Sequence, residues 1–235
     1  MISNYSLKDL KEADKRILER WKKNKIKLLF NSEDKILIAG TLNYVNKINN
    51  LGTKKVYAID KKKPLFLNLK KFKNIKFKKS NLKKIQFKKN YFSFIFCNGI
   101  LSHLDFWQLT LKEFYRILKP NGKLWLNLFG DSPFRRRPIN INRKLNKSDK
   151  KCLREILLLE GWNIQKINYI ESMFFWDRRI LFKKGKIEKK FKKLGFKKIK
   201  YCNRGINSDL SEKIFKNKSL KRLYSDGDLR YLLIK

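Results

Sequence analysis

Polar residues that could take part in chemistry follow two apolar runs of the chain. Asp60 directly follows residues 55–59 (KVYAI), and the triplet Cys97–Gly99 follows residues 92–96 (FSFIF). Both runs are typical of strands buried on both faces of a parallel sheet. Because the carboxyl ends of such strands open towards a ligand crevice, we expect the polar residues to line one crevice.

Asp60 has two interpretations. An ionised carboxylate can accept hydrogen bonds from both hydroxyls of a ribose at once, whereas an aspartate after a strand can also cap a following helix. Asp60 comes 20 residues after Gly40, which itself follows the apolar run 35–39 (KILIA). The order strand, glycine, helix, strand, acid favours the ribose role.

The stretch Tyr91–Gly130 contains the elements that must position these residues. Asp105 is a predicted helix cap, and Lys119–Gly122 is a predicted turn in which a glycine takes positive φ. Strand Lys123–Leu128 follows, so the stretch is a β-α-β crossover and the fold class is α/β. The helix has an apolar stripe formed by Trp107, Leu111, Phe114 and Leu118.

The same stretch carries a family signature. The run Asn98–Leu104 (NGILSHL), then Glu113, Arg116–Pro120 (RILKP) and Gly122, followed by a strand, resembles class I S-adenosylmethionine-dependent methyltransferases of the small-domain, type 11-like branch. The resemblance extends over about residues 34–130. It implies a Rossmann-like, doubly wound, mostly parallel seven-stranded sheet with an antiparallel last strand and a cap inserted after strand 5.

The resemblance also implies S-adenosylmethionine as the cofactor and assigns residues to it. Leu42 and Tyr44 stand where the family's loop has glycines. Asn81 could accept a hydrogen bond from the adenine amino group, or it could be a turn residue. The cofactor-binding residues implied are Ala39, Gly40 and Thr41 in the glycine loop, Asp60 at the ribose, Asn81 and Leu82 at the adenine, and Cys97, Asn98 and Gly99 at the methionine end.

No residue of the sequence is assigned to catalysis with a defined role. His103 is the single histidine and is the candidate general base, although relatives often carry histidine there without needing it for chemistry. Cys97 is interpreted as a small packing residue and not as a nucleophile. A direct displacement needs alignment of the acceptor more than a catalytic group.

Four parts of the chain are predicted: an N-terminal helix (1–30), a Rossmann-like core (31–130), an inserted substrate cap (131–185) and C-terminal elements that complete the sheet (186–235). The first helix, over Leu7–Phe30, could cover the cofactor or pack on the sheet. The cap contains a helix from near Ser148 to Gly161, then a strand or extended segment over 162–170 and a basic-aromatic run over 172–179.

The C-terminal elements have two possible registers. The preferred one is helix Ile187–Leu194, strand Phe196–Tyr201, and a last antiparallel strand Leu229–Ile234 beside the fifth. The alternative places these elements within residues 149–184, where the pattern of helix, glycine and aromatic strand recurs.

The formal net charge is +40, with 47 lysines against 13 arginines. Such a charge attracts nucleic acid or an anionic membrane surface, but lysine enrichment on every solvated face is the interpretation preferred here, since nucleic-acid sites favour arginine. Three scattered cysteines and one histidine predict no metal site and indicate a reducing cytoplasm. No apolar stretch is long enough to span a bilayer.

The leading functional hypothesis is methyl transfer from S-adenosylmethionine to an O or N atom of a small-molecule or sugar-like acceptor. One alternative is an RNA methyltransferase that uses the basic surface. The other is a non-catalytic Rossmann-type binding protein with a degenerate glycine loop.

Overall fold

The computed structural model describes residues 15, 17–40, 55–61, 75–133, 136, 147–162, 164, 167, 180–202, 218, 222, 225 and 227–235. Residues 17–23 are helical, and a 3₁₀ turn covers Ile100–His103. The α-helices are α1 (Trp107–Ile117), α2 (Lys147–Leu159) and α3 (Lys184–Leu194). The strands are β1 (Lys35–Ala39), β2 (Lys55–Asp60), β3 (Ile75–Lys79), β4 (Phe92–Asn98), β5 (Leu118–Phe129), β6 (Lys198–Tyr201) and β7 (Asp228–Ile234).

The seven strands form one sheet in the order β3-β2-β1-β4-β5-β7-β6. Strands β1 to β5 pair in parallel, and β7 is antiparallel to both of its neighbours, β5 and β6. The predicted fold class is therefore confirmed, as is the preferred register of the C-terminal elements. Gly195 ends α3 with φ 97°, the left-handed conformation that favours glycine.

Each face of the sheet has its own core, because alternate side chains of a strand point to opposite faces. One face, called here face A, packs against α1 and α3, with Leu126 of β5 and Phe114 of α1 among its buried residues. The other, face B, packs against the helical residues 17–23, with Phe94, Phe96 and Trp125 from the strands.

The N-terminal helix is shorter than predicted over the residues described. Helix ends at Lys23 and not at Phe30, because Lys25 takes φ 50° and Ile26 turns inward, its N–H donating to the Trp21 carbonyl. The Trp21 ring lies edge-on to Phe94, Phe96 and Trp125, with centroids 5.9–6.4 Å apart. These contacts support the interpretation that this helix packs on the sheet.

Two predictions at the ends of α1 were wrong. The cap residue is Phe106 and not Asp105, one position further along the chain. At the other end, α1 is followed directly by β5, which begins at Leu118. The predicted turn Lys119–Gly122 therefore lies within β5, where the register between β4 and β5 is irregular. Within that turn Asn121 takes the positive φ, 60°, that was expected of Gly122; asparagine tolerates this conformation better than most residues.

Helix α2 matches the predicted helix, but Ser148 lies inside it and not at its cap. Ile164 and Ile167 are helical, so the strand or extended segment expected over 162–170 is wrong at these positions. The basic-aromatic run 172–179 lies outside the described residues. None of the helices in the described ranges combines the length and apolar character needed to cross a bilayer.

Candidate cofactor crevice at the carboxyl ends of the strands

The strand order places the ends of β2, β1 and β4 side by side. Ala39, the last residue of β1, pairs with Ile59 on one side and with Cys97 on the other. The next residues of the three strands, Gly40, Asp60 and Asn98, therefore share one edge. The connection after β1 leads to β2 on one side of it, and the connection after β3 leads to β4 on its other side. The strand order therefore reverses between β1 and β4, and α/β sheets bind ligands at such a switch point. With strands about 4.8 Å apart, the three ends span about 10 Å.

Gly40 is required by its backbone and by its surroundings. Its φ is 61°, and its N–H donates to the Ile59 carbonyl at 2.9 Å. A Cβ at this position would lie 2.9 Å from the Ile100 side chain, so Ile100 covers the glycine directly. Ile100 was not identified from the sequence as a site residue. The loop that follows, with Thr41, Leu42 and Tyr44, lies outside the described residues.

Asp60 ends β2 in a half-buried position. Burial raises the pKa of its carboxyl above the ordinary aspartate value, and the Lys61 N–H, which donates to Oδ1 at 2.6 Å, counteracts this in part. Ion pairs recorded among the described residues do not include Asp60. A half-buried carboxylate with a perturbed pKa at a crevice is a candidate functional group.

Ser80 is a buried polar residue that sequence reasoning missed beside Asp60. Its N–H donates to the Asp60 carbonyl at 3.1 Å, and its hydroxyl is buried with no hydrogen-bond partner among the described residues. Asn81, which was chosen from the sequence, is exposed, and its Oδ1 accepts the Lys83 N–H at 3.0 Å. This contact supports the turn interpretation of Asn81. Leu82 is buried in the core of face A.

The end of β4 contributes a buried thiol and an open glycine. Cys97 is fully buried, and burial raises the pKa of its thiol well above the ordinary value. A thiol in this state is a packing residue, since the thiolate is the nucleophile. Gly99 has φ 81°, its N–H donates to the Asn127 carbonyl at 3.0 Å, and no described residue lies within 4 Å of the place where a Cβ would stand. The chain therefore exposes backbone to the crevice at Gly99.

His103 lies at the end of β5, at the same edge of the sheet. Its ring is half-buried and edge-on to Phe129, with centroids 5.3 Å apart. The 3₁₀ turn is fixed there by Ser102, whose hydroxyl accepts the Phe129 N–H at 2.9 Å and whose carbonyl accepts the Ile180 N–H at 2.8 Å.

A row of polar side chains crosses β4, β5 and β7 on face B. Asn127 pairs in register with Asn98 on one side and with Arg230 on the other. The Arg230 side chain is 7% exposed, and its Nη2 donates to Asp228 at 2.9 Å. The Asn127 Oδ1 is buried with no hydrogen-bond partner in the described part of the chain. The one sequence signal for this row is a polar residue within each of two apolar strands, LWLNLF and DLRYLLI.

The signature residues Glu113 and Arg116 have a structural role. Arg116 donates to both oxygens of Glu113 at 2.7 and 2.8 Å, and to the carbonyls of Ile85 and Phe87 at 2.8 Å. Glu113 also accepts the Ile85 N–H at 2.7 Å. This pair therefore fixes the loop between β3 and β4 to α1.

Comparison with known proteins agrees with this geometry. Residues 38–126 match the family Methyltransf_11, described as a methyltransferase domain. Comparison with curated protein sequences finds no match.

Solved structures share the fold over nearly the whole chain. An S-adenosylmethionine-dependent methyltransferase from Mesorhizobium loti is 12% identical, with a TM-score of 0.58, over 96% of this chain and 100% of that one. One from Archaeoglobus fulgidus is 12% identical, with a TM-score of 0.52, over 94% of each chain. Phosphoethanolamine N-methyltransferase 2 from Haemonchus contortus, in complex with S-adenosyl-L-methionine, is 15% identical, with a TM-score of 0.51, over 95% of this chain and 52% of that one.

The fold is that of the Rossmann-like class I methyltransferases. The chain contains a methyltransferase domain of the type 11 branch over residues 38–126, which confirms the predicted resemblance. The match agrees with the predicted class of enzyme, a methyltransferase.

Proposed function

We propose that this protein transfers a methyl group from S-adenosylmethionine to an O or N atom of a small-molecule or sugar-like acceptor. The observation that carries the proposal is the shared edge of Gly40, Asp60 and Asn98 at the switch point of the sheet. The three strand ends place a glycine, an acid and a backbone turn side by side. This arrangement suits a nucleoside that carries a charged amino-acid group.

Different residues at this edge contact different parts of the cofactor. The Asp60 carboxylate accepts hydrogen bonds from the ribose hydroxyls. Ser80 lies on the adenine side together with Leu82. Its buried hydroxyl has no hydrogen-bond partner among the described residues and can bond to the ligand. The backbone of the buried Gly40 and of the half-buried Gly99 holds the methionine end. When bound, the cofactor supplies an electrophilic methyl group.

The protein's contribution to the reaction is positioning and exclusion of water. The row of Asn98, Asn127 and Arg230 offers a buried acceptor oxygen and a buried guanidinium beside the end of β4, and these groups orient a polar acceptor. His103, at the end of β5, is the candidate to receive the proton of a hydroxyl acceptor. Residues 131–185 are proposed to cover the acceptor.

Calorimetry with S-adenosylmethionine and S-adenosylhomocysteine tests the proposal. We expect binding of both by the wild-type protein, a large loss in Asp60→Ala, and no change in Glu155→Ala, which removes an exposed acid on α2. Absence of heat at millimolar ligand in the wild-type protein would contradict the proposal and favour the non-catalytic alternative.

RNA is the second candidate acceptor. It is favoured by the surface described in the next subsection, where seven lysines and no acid occur between Ile75 and Phe92. Methylation of RNA extracted from cells, measured with a radioactive methyl donor, distinguishes it from a small acceptor.

A further inference from the structure

Strand β3 and the loop that follows it form a strongly cationic segment at the edge of the sheet. Residues 75–92 (IKFKKSNLKKIQFKKNYF) contain seven lysines and no aspartate or glutamate. The strand lies at the edge of the sheet, and Lys76 and Lys78 are both exposed. They are two residues apart and so point to the same face, about 7 Å from each other.

Three lysine ammonium groups lie over three aromatic rings at this edge. Lys35 Nζ is 4.0 Å from the centroid of the Tyr91 ring, and Lys78 Nζ is 5.4 Å from that of Phe87. Lys76 Nζ is 5.9 Å from that of Tyr57. These six residues are called here the lysine–aromatic surface.

The three rings form one continuous half-buried platform. Phe87 and Tyr91 are stacked, with centroids 5.6 Å apart and an interplanar angle of 18°. Tyr57 lies edge-on to both, at 5.6 and 5.9 Å, and its hydroxyl is 3.2 Å from that of Tyr91. This hydrogen bond raises the pKa of Tyr57 to about 12 and lowers the pKa of Tyr91, so the Tyr57 hydroxyl is uncharged near neutral pH. The positive charge of the surface comes from the lysines.

The platform is held in place from α1. Arg116 binds the carbonyls of Ile85 and Phe87, and Glu113 binds the Ile85 N–H. Lys78 Nζ also donates to the Gln86 carbonyl at 3.3 Å. The loop that carries Phe87 is therefore fixed before any ligand arrives, which reduces the entropy lost on binding.

The carboxylates near the surface are already engaged by other cations. Glu113 is paired with Arg116, and Glu33 is paired with Lys55. Glu33 also feels the charge of Lys35, which contributes to the lowering of its pKa. Among the described residues, the lysines of the surface therefore outnumber the acids near them, and the surface keeps an excess of positive charge.

Part of the surface lies at the opposite end of the strands from the cofactor crevice. Lys35 is the first residue of β1 and Tyr91 directly precedes β4, whereas Gly40 and Asn98 stand at the other ends. Lys78 lies closer to the crevice, because it pairs with Ile59, the residue before Asp60. A ligand centred on Lys35 and Tyr91 therefore leaves Gly40 and Asn98 uncovered.

We propose that the lysine–aromatic surface binds single-stranded nucleic acid, with phosphates on the lysine ammonium groups and a base on the exposed part of the ring platform. Single-strand binding sites combine a cationic track with aromatic rings on which bases stack. An anionic membrane would be bound by charge as well, but membrane anchors project apolar side chains into the lipid. Here each ring is half-buried and lies under an ammonium group.

Charge reversal in matched pairs tests the location of the site. The double variant Lys76→Glu, Lys78→Glu is compared with Lys189→Glu, Lys193→Glu, which makes the same change in net charge on exposed positions of α3. The probe is a fluorescein-labelled 20-mer of uridylate, followed by anisotropy between 50 and 200 mM salt. We expect the β3 pair to lower affinity at least about ten-fold and to reduce the salt slope by about 1.4, since each phosphate contact contributes about 0.7. The α3 pair should change affinity less than about two-fold.

Substitution of a ring separates stacking from charge. Tyr91→Leu should weaken binding about ten-fold with little change in the salt slope, whereas Tyr91→Phe, which keeps the ring, should bind like the wild-type protein. Thermal unfolding of both variants shows whether the Leu variant remains folded. If it does not, Phe87→Leu provides the same comparison.

Three results would overturn the proposal. Equal losses in the β3 and α3 pairs would mean that the charge acts without a defined site. Unchanged binding in folded Tyr91→Leu or Phe87→Leu would exclude the rings. Binding to phosphatidylserine vesicles that depends on Lys76 and Lys78, without binding to the oligonucleotide, would assign the surface to membranes. Because the assay contains no cofactor, its failure would leave the proposed methyl transfer untouched.

Discussion

The two ends of the parallel strands have opposite chemistry. At the carboxyl ends the chain places glycines and a half-buried acid, as at Gly40, Asp60 and Gly99. At the amino ends it places lysines over aromatic rings, as at Lys35 and Tyr91. The net charge of +40 therefore does not identify the site of chemistry.

The carboxylates show the difference most directly. Glu113 has its pKa lowered, first by the hydrogen bond from Arg116, so it is a satisfied structural acid. Asp60 has its pKa raised by burial and has no ion-pair partner among the described residues. Lysine and arginine are abundant in this protein, so most acids can form an ion pair. Asp60 is half-buried and forms none among the described residues, which makes it the clearest candidate for a functional acid.

Asp60→Ala should have the largest effect on function. Two charge-assisted hydrogen bonds to the ribose are each worth about 1.5–3 kcal/mol, so the affinity for S-adenosylmethionine should fall about 100-fold or more. Calorimetry gives the dissociation constant, and near-wild-type affinity would remove Asp60 from the site. Affinity for the oligonucleotide should not change.

Gly40→Ala should destabilise the fold by about 2–3 kcal/mol, because it adds both positive-φ strain and a clash with Ile100. Gly161→Ala is the matched control: Gly161 has φ 74°, and no described residue lies within 4 Å of its Cβ position, so strain alone should cost about 1 kcal/mol. Urea denaturation measures both. Equal costs would show that Ile100 does not restrict this position.

Arg116→Ala should lower stability by about 1–2 kcal/mol, a value discounted for the solvent exposure of the pair. Its consequences should be confined to one end of the molecule. Oligonucleotide binding should weaken because the loop carrying Phe87 is released, whereas cofactor binding should persist. Loss of both activities would contradict the separation of the two ends.

The smallest effects should appear as pH dependences of opposite sign. The folded-state pKa of Glu113 is lowered, so its stabilisation is present above the unfolded pKa and is lost as pH falls through the folded pKa. The folded-state pKa of Asp60 is raised, so its contribution is favourable at acid pH and is lost as pH rises through the folded pKa. At pH 7, Glu113→Gln should therefore reduce the unfolding free energy and Asp60→Asn should increase it, each by less than about 1 kcal/mol.

The strands could be predicted because continuous apolar runs have few interpretations. The end of the first helix could not, because residues 22–27 (KKNKIK) contain no glycine or proline to mark the left-handed turn at Lys25. The cap of α1 was misplaced by one residue for a related reason, since Asp105 is a better intrinsic cap than Phe106.

The crevice was predicted where its residues follow strands and missed where they lie within them. Asp60 and Gly99 come directly after apolar runs. Asn127 and Arg230 lie inside strands, where sequence alone does not separate a buried polar side chain from a solvent-facing one. Ser80 was passed over for Asn81, because the burial of the first and the exposure of the second are set by the loop that Arg116 holds.

The contact between Ile100 and Gly40 makes the two positions interdependent at the carboxyl end of β1. A branched side chain lies where any larger residue at position 40 would have to stand. Ile100→Ala would remove about three carbons there, so it should relieve the clash in Gly40→Ala and leave the cost of the positive φ. A larger residue at one position is therefore tolerated better when the residue at the other position is smaller.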